Sequence, residues 1–180
     1  MNTTKNDNNM KKLILGLSII VLLQPTTKAQ NNLGGHFGMV HPFVTFSQGE
    51  SATIADNYVV GFPTGITVKM KDRLAFDAEF VPFIDNGRMV NFMFHPGILY
   101  GLGNGLTLGN RLAFETGSQA YGFTPLLNKG FPLGNGATFF LELVLPVRFV
   151  KMTNMVGADN SIIEENVSSF TVGLHTGIAF

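Results

Sequence analysis

Phe139-Phe140-Leu141-Glu142-Leu143-Val144-Leu145-Pro146-Val147-Arg148-Phe149-Val150-Lys151 decides how this chain is read. Its odd positions are Phe, Leu, Leu, Leu, Val and Phe, while Glu142 and Arg148 fall on even positions. A period of two marks a β-strand, because successive side chains point to opposite faces. Both mid-strand charges therefore share one face, and the other face is apolar from Phe139 to Phe149.

The same alternation recurs on either side. From Arg73 to Ile84, Leu74, Phe76, Ala78, Phe80 and Ile84 oppose Arg73, Asp77 and Glu79. From Arg88 to Leu102, Val90, Phe92, Phe94, Ile98 and Tyr100 oppose Asn91, His95, Gly97 and Gly101. From Gly105 to Thr116, Leu106, Leu108, Leu112 and Phe114 oppose Thr107, Arg111 and Glu115, with Asn110 a polar intruder on the apolar face. At the end, Phe170, Val172, Leu174, Ile178 and Phe180 oppose Ser169, Thr171, Gly173, His175 and Gly177. Asn57–Met70 and Gln119–Lys129 alternate less cleanly, and Gly34–Ser47 requires a bulge near Pro42. Prolines 42, 63, 82, 96, 125 and 146 each remove a ladder donor, so further bulges are expected at several of them. Turn signals at Lys71-Asp72, Asp85-Asn86-Gly87, Gly103-Asn104, Thr116-Gly117-Ser118 and Gly134-Asn135-Gly136 separate the strands. The longest gap, Thr153–Asn166, reads as an external loop with three acidic residues, Asp159, Glu164 and Glu165.

Composition narrows what such strands can build. Charged residues are only 13% of the 180 and mean hydropathy is +0.23, against about 25% charged in ordinary soluble domains. Formal charge is zero, so nucleic acid is not an expected partner. With no Cys there is no disulfide, thiolate metal site, Cys nucleophile or lipoprotein anchor. Lys11-Lys12, the apolar run Leu13–Leu23 and a small-residue site with Thr27 and Ala29 read as a secretory signal peptide, with Met10 an alternative start. Residues 1–29 are then the signal peptide, cleaved near Ala29, and residues 30–180 the mature domain. Its removal takes four of twelve basic and one of twelve acidic residues, leaving eight and eleven, a net charge of −3. No apolar run of about 18 residues remains for a membrane helix. An exported, apolar chain without a helical span implies an all-β fold: an eight-stranded antiparallel up-and-down transmembrane β-barrel, each strand reaching the 9–11 residues a tilted span needs.

In that register the three tyrosines, Tyr58, Tyr100 and Tyr121, face outward near strand ends, where interface aromatics belong. The alternating end Gly173-Leu174-His175-Thr176-Gly177-Ile178-Ala179-Phe180 resembles that of small eight-stranded bacterial outer-membrane barrels of the OmpA transmembrane-domain and OmpX type. In those families a terminal Phe is read by the barrel-assembly machinery. The resemblance implies that role for Phe180 with Ile178, an outer-membrane location, outer-membrane lipid as surroundings and a monomer. It departs at His175, where that signal usually carries Gly.

The inward register collects Lys69, Arg73, Asp77, Glu79, Arg111, Glu115, Glu142 and Arg148, four of each sign, which should pair because unpaired buried charge is costly. A turn centred near Asn86 places Asp77 opposite His95, and one at Gly103-Asn104 brings Arg111 to His95. The expected lumen network is Asp77, His95 and Arg111 with Glu79, then Glu142 beside His175, then Glu115 and Arg148. A barrel of this size is filled by side chains or holds one small ligand. A carboxylate-oriented His is a general-base arrangement, but no His has Ser two residues on, and no Asp adjoins a His. The four His (36, 41, 95, 175) lack metalloenzyme spacing, so neither metal nor cofactor is expected. The expectation is a non-enzymatic envelope barrel with a filled, charge-paired lumen, for structure or loop contacts. The alternatives are a narrow conduit or pocket for a small solute, and a lipid-modifying enzyme.

Overall fold

The computed structural model describes residues 32–85, 88–156 and 161–180, and the side chains from 152 to 165 are not described. The expected signal peptide, residues 1–29, lies outside the described residues. Every regular element of note is a strand: β1 Leu33–Ser47, β2 Glu50–Thr53, β3 Val59–Gly61, β4 Thr64–Lys69, β5 Leu74–Asp85, β6 Arg88–Gly103, β7 Leu106–Glu115, β8 Tyr121–Gly134, β9 Ala137–Val144, β10 Val147–Val156 and β11 Ser161–Ala179.

These segments make eight antiparallel staves. β3 and β4 form one stave broken at Phe62-Pro63: Val59 faces Asp85 and Lys69 faces Ala75 without a register shift between them. β9 and β10 form another, broken at Leu145-Pro146, again with unshifted pairing to β8 on one side and β11 on the other. Neighbours in sequence are neighbours in the sheet, and β11 closes on β1 from His36↔Ala179 to Ser47↔Ser169. The fold is an all-β, antiparallel, up-and-down eight-strand ring. Closure leaves no edge whose backbone groups need water, which is what lets a sheet stand in lipid.

The seam carries the expected bulge, between Pro42 and Val44. The other prolines behave differently from expectation. A shift follows Pro82, at Phe83/Ile84, but Pro96 and Pro125 sit in unshifted ladders, and Pro63 and Pro146 interrupt their strands without displacing them. Four prolines keep their carbonyls in use: Gly38 N–H donates to Pro63 O, Phe62 to Pro82, Leu145 to Pro125 and Thr171 to Pro146. Each loses only the return bond that its missing N–H would have made. Asn110 also stays in register, outward and exposed, opposite Ile98 and Pro125.

One correction concerns Thr153–Asn166, expected as a loop. The ladder continues from Arg148↔Ser169 to Val156↔Ser161. Beyond Phe149 and Ser169 neither strand has an outer partner, so the segment is a two-stranded ribbon rising from the ring. Its sequence lacks the regular apolar alternation by which the other strands are read.

The two faces have opposite chemistry. Leu141 and Leu143 are 37% and 43% exposed, and Glu142 between them is 2% exposed. Phe37, Phe76, Phe94, Leu108, Leu112 and Phe170 are likewise exposed, while Asp77, Glu79, His95, Arg111 and His175 are buried. Large exposed apolar surfaces are uncommon on soluble monomers. An apolar belt around an enclosed set of charges is the arrangement of a transmembrane β-barrel, whose solvent is lipid outside and protein or water inside.

Candidate functional site

Both described termini lie at one end of the ring, where Gly35 and Phe180 exchange backbone hydrogen bonds of 2.8 and 2.9 Å. The turns between β4 and β5, β6 and β7, and β8 and β9 share that end. The opposite end, the loop end, carries β2 and the β10–β11 ribbon.

Across the middle of the lumen stands a plug built on Arg111 of β7. Its Nε donates to Asp77 Oδ2 at 2.8 Å, Nη1 to Glu142 Oε1 at 2.6 Å, and Nη2 reaches Glu79 Oε1 at 3.0 Å. The guanidinium fork engages carboxylates from β5 and β9, on both sides of its own strand. Imidazoles fill the next ring. His36 Nε2–H donates to Glu79 Oε1 at 3.0 Å, His95 Nδ1–H to Glu79 Oε2 at 3.2 Å, and His175 Nδ1–H to Glu142 Oε1 at 3.1 Å. Thr67 donates to Asp77 Oδ1 at 2.6 Å and Asn128 to Glu142 Oε2 at 3.1 Å. Three carboxylates face one guanidinium, so the imidazoles supply the remaining donors. Every carboxylate oxygen is engaged, as buried charge requires.

Glycines in the wall make the room. A Cβ on Gly97 would lie 2.5 Å from Arg111 Cγ, and one on Gly65 would lie 2.6 Å from the His36 ring. These close approaches explain why the inward register alternates charge with glycine.

The expected pairings need two corrections. Asp77 lies opposite Gly97, and His95 lies opposite Glu79. The shift at Phe83/Ile84 and the Asp85↔Arg88 closing pair move the register two residues from that of a turn centred on Asn86. A second shift, between Gly101 and Gly103, sets Arg111 opposite Gly97, so Arg111 meets Asp77 directly while His95 turns to Glu79. Glu142 and His175 are direct ladder partners. Glu115 and Arg148 pair at 2.8 Å nearer the loop end, supported by Asn91 and Ser118. Lys69 and Arg73, expected inside, are exposed at the turn between β4 and β5, where the register runs out of the lumen.

His36 is the member that sequence reasoning missed. The bulge at Pro42 hides the register of β1, although Phe37 and Met39 on the far side of it, both exposed, mark His36 as inward. The histidines are scattered in sequence but three of the four meet around Glu79 and Glu142. They form two groups of close potential ligand atoms, His36–Asp77–Glu79 and Glu79–Glu142–His175. Their carboxylate oxygens already accept from Arg111, Thr67 or imidazoles, so the set works as an ion-pair network.

The lumen is not filled, which corrects a further expectation. On the loop side of the plug lies a cavity of about 270 Å³, walled by Val40, Val59, Val81, Phe83, Met93, Val144 and Pro146, with His95, Thr124 and Arg148 among its polar groups. On the terminal side lies one of about 160 Å³, lined by Thr67, Leu99, Thr107, Asn128 and Phe140. Arg111 borders both.

On the outer surface Tyr58 stacks on His41 with ring centroids 6.0 Å apart, Tyr121 packs on Phe149 at 5.7 Å, and Tyr100 lies opposite Leu74 and Leu108; all three are exposed. Phe180 is 67% exposed at the seam, and Ile178 lies between Phe37 and Phe139.

No protein-family model matches the chain, and no curated protein matches it. Among solved structures it is similar to the outer membrane protein OprG from Pseudomonas aeruginosa, at 12% identity and a TM-score of 0.48, over 82% of this chain and 94% of that one. It is also similar to the outer membrane protein AlkL, at 14% identity and 0.40, over 83% and 90%, and to the KdgM porin, at 12% identity and 0.31, over 81% and 98%.

Proposed function

We propose that this protein is an outer-membrane barrel that takes up one small, largely apolar solute into its loop-side half. The single observation that carries the reading is the cavity of about 270 Å³, apolar in its walls and floored by the Arg111 plug. A concave surface with apolar walls and polar side chains converging on it is the usual form of a small-molecule site. The plug argues against an open aqueous channel, because three carboxylates meet one guanidinium across the lumen and three imidazoles bond to two of those carboxylates. A pocket or a gated conduit therefore accounts for the interior better than a purely structural barrel.

In this reading the apolar belt sits in the outer membrane after removal of the signal peptide, the loop end faces outward, and Phe180 with Ile178 presents the assembly signal. Cell fractionation checks the location: the protein should sediment with outer membranes and change gel mobility on boiling, and a soluble periplasmic form would refute it. Binding is tested with 1-octanol. Saturating octanol should raise the temperature at which the folded gel band is lost, as ligand linkage requires. Val59→Trp, which fills the mouth of the cavity, should abolish that rise. No shift in the unaltered protein would refute the pocket. In planar bilayers the barrel should give no stable ion-conducting steps, and large steady steps would show an open lumen instead.

A further inference from the structure

We propose that Thr124, His95 and Glu79 form a catalytic relay on the wall of the loop-side cavity, able to cleave an ester with a short acyl chain. The inference rests on the pocket reading above and adds a reaction to it.

The geometry is that of a nucleophile, a base and an orienting acid. Thr124 Oγ1 lies 2.9 Å from His95 Nε2, and His95 Nδ1 lies 3.2 Å from Glu79 Oε2. Glu79 is fixed in turn by Arg111 and His36, both at 3.0 Å. The proton positions follow from donor chemistry. The other partner of Thr124 Oγ1 is Arg148 Nη1 at 3.1 Å, and a guanidinium only donates. The hydroxyl hydrogen of Thr124 is therefore directed at His95 Nε2, and Nδ1 carries the imidazole's own hydrogen toward Glu79. That is the tautomer a general base needs in an acyl-transfer triad, recognised by roles and geometry and not by order in the chain.

Reacting groups also need space and an oxyanion donor. Thr124, His95 and Arg148 all border the 270 Å³ cavity. Among the described residues, the partner of Arg148 Nη2 is Met93 Sδ at 3.2 Å, a weak acceptor. That leaves a cationic donor beside the nucleophile for the oxygen of a tetrahedral intermediate. At about 30 Å³ per water-sized group, the cavity holds on the order of nine non-hydrogen atoms, which fits an acyl chain of about six carbons and its ester.

The reaction balances as ester plus water to acid plus alcohol. Thr124 Oγ1 bonds to the carbonyl carbon as its hydrogen passes to His95 Nε2. The bond to the leaving alkoxide breaks as Nε2 returns that proton to it. Water then attacks the acyl-Thr124 ester, gives a proton to Nε2, and releases the carboxylic acid as Thr124 regains its hydrogen. Thr124 and His95 touch the reacting atoms; Glu79 is a positioning residue that acts through His95.

The test uses the full chain folded in detergent micelles, with boiled and unboiled gel mobility as the folding control. A hexyl fluorophosphonate should add its phosphonyl group to Thr124 Oγ1 with loss of fluoride, located by peptide mass mapping on the unaltered protein. p-Nitrophenyl hexanoate should be hydrolysed about 10²–10⁴ times faster than by Thr124→Val or His95→Asn. Thr124→Ser should keep or exceed the activity, because it retains the nucleophile and removes the methyl group. Glu79→Gln should lower kcat and alter its pH profile with little change in KM. Absence of any adduct on Thr124, with hydrolysis unmoved by Thr124→Val, overturns the relay. If octanol still stabilises the barrel in that case, the pocket stands and the relay alone falls; if octanol also fails, both fall.

Discussion

Arg111→Met is the substitution that tests the interior most severely. Arg111 is 3% exposed and holds Asp77 at 2.8 Å, Glu79 at 3.0 Å and Glu142 at 2.6 Å. Methionine matches much of its length but brings no charge, so three carboxylates lose their common cation in an enclosed space. Removing one partner of a buried pair costs about 3–5 kcal/mol, because the other charge is left uncompensated. Three carboxylates on one guanidinium put the loss at the upper end, roughly three to four orders of magnitude in the folding constant. The assay is urea unfolding in lipid vesicles, with the folded fraction read from gel mobility without boiling, since the chain has no Trp for fluorescence. The triple variant Arg111→Met, Glu79→Gln, Glu142→Gln removes the cation with two of its three carboxylates and leaves Asp77 as the one acid without its partner, and removing both signs of a buried pair costs far less than removing one. It should recover at least half of the loss. An Arg111→Met barrel within about 0.5 kcal/mol of the unaltered one, the range of an inconsequential surface change, would refute the plug, as would a triple variant no better than the single.

Leu143→Arg, on the outer face at mid-strand, should cost about 2–4 kcal/mol by urea titration in vesicles. Thr171→Arg, which borders the cavity, should instead act through packing and octanol binding, and equal tolerance at both would reverse the two faces. Gly97→Ala should destabilise by about 1–3 kcal/mol, because its Cβ meets Arg111 Cγ at 2.5 Å; no measurable loss would mean that the plug has slack. In the exposed turn after β2, Asp56 accepts from the Thr53 amide and hydroxyl, both at 2.8 Å, and these bonds hold its carboxyl below the ordinary range. The turn should therefore persist at neutral pH and let go only as pH falls through that lowered value. The Thr53 amide shift followed by NMR reads this, and Asp56→Ala should flatten the curve.

The staves, their number and their two faces were legible because the alternation is a direct imprint of the pleat: Leu141, Glu142 and Leu143 suffice to say which side holds charge. Heights across the lumen were less legible. A single extra residue on β6, Val90 opposite the Phe83–Ile84 step, moves every pairing beyond it, and nothing in the local composition marks the bulge. His36 was obscured in the same way by Pro42. Thr124 is a neutral residue on a strand of mixed pattern, and only the fold brings it to His95. The ribbon at 153–166 looked like a loop because its sequence carries no regular apolar alternation, while its backbone ladder continues that of the ring. Lumen volume left no trace in the sequence, since it depends on how wall glycines and valines meet across the ring.

The plug draws on nearly the whole circumference. Arg111, Asp77 and Glu142 come from three separate staves, and the two that zip last in a closing ring, β1 and β11, contribute His36 and His175. A half-assembled cylinder, still gaping between its first and last strands, would hold unneutralised acids with two of their imidazoles standing apart. Closing the seam in register therefore completes the donor set of the plug, since His36 reaches Glu79 and His175 reaches Glu142 only from these two strands.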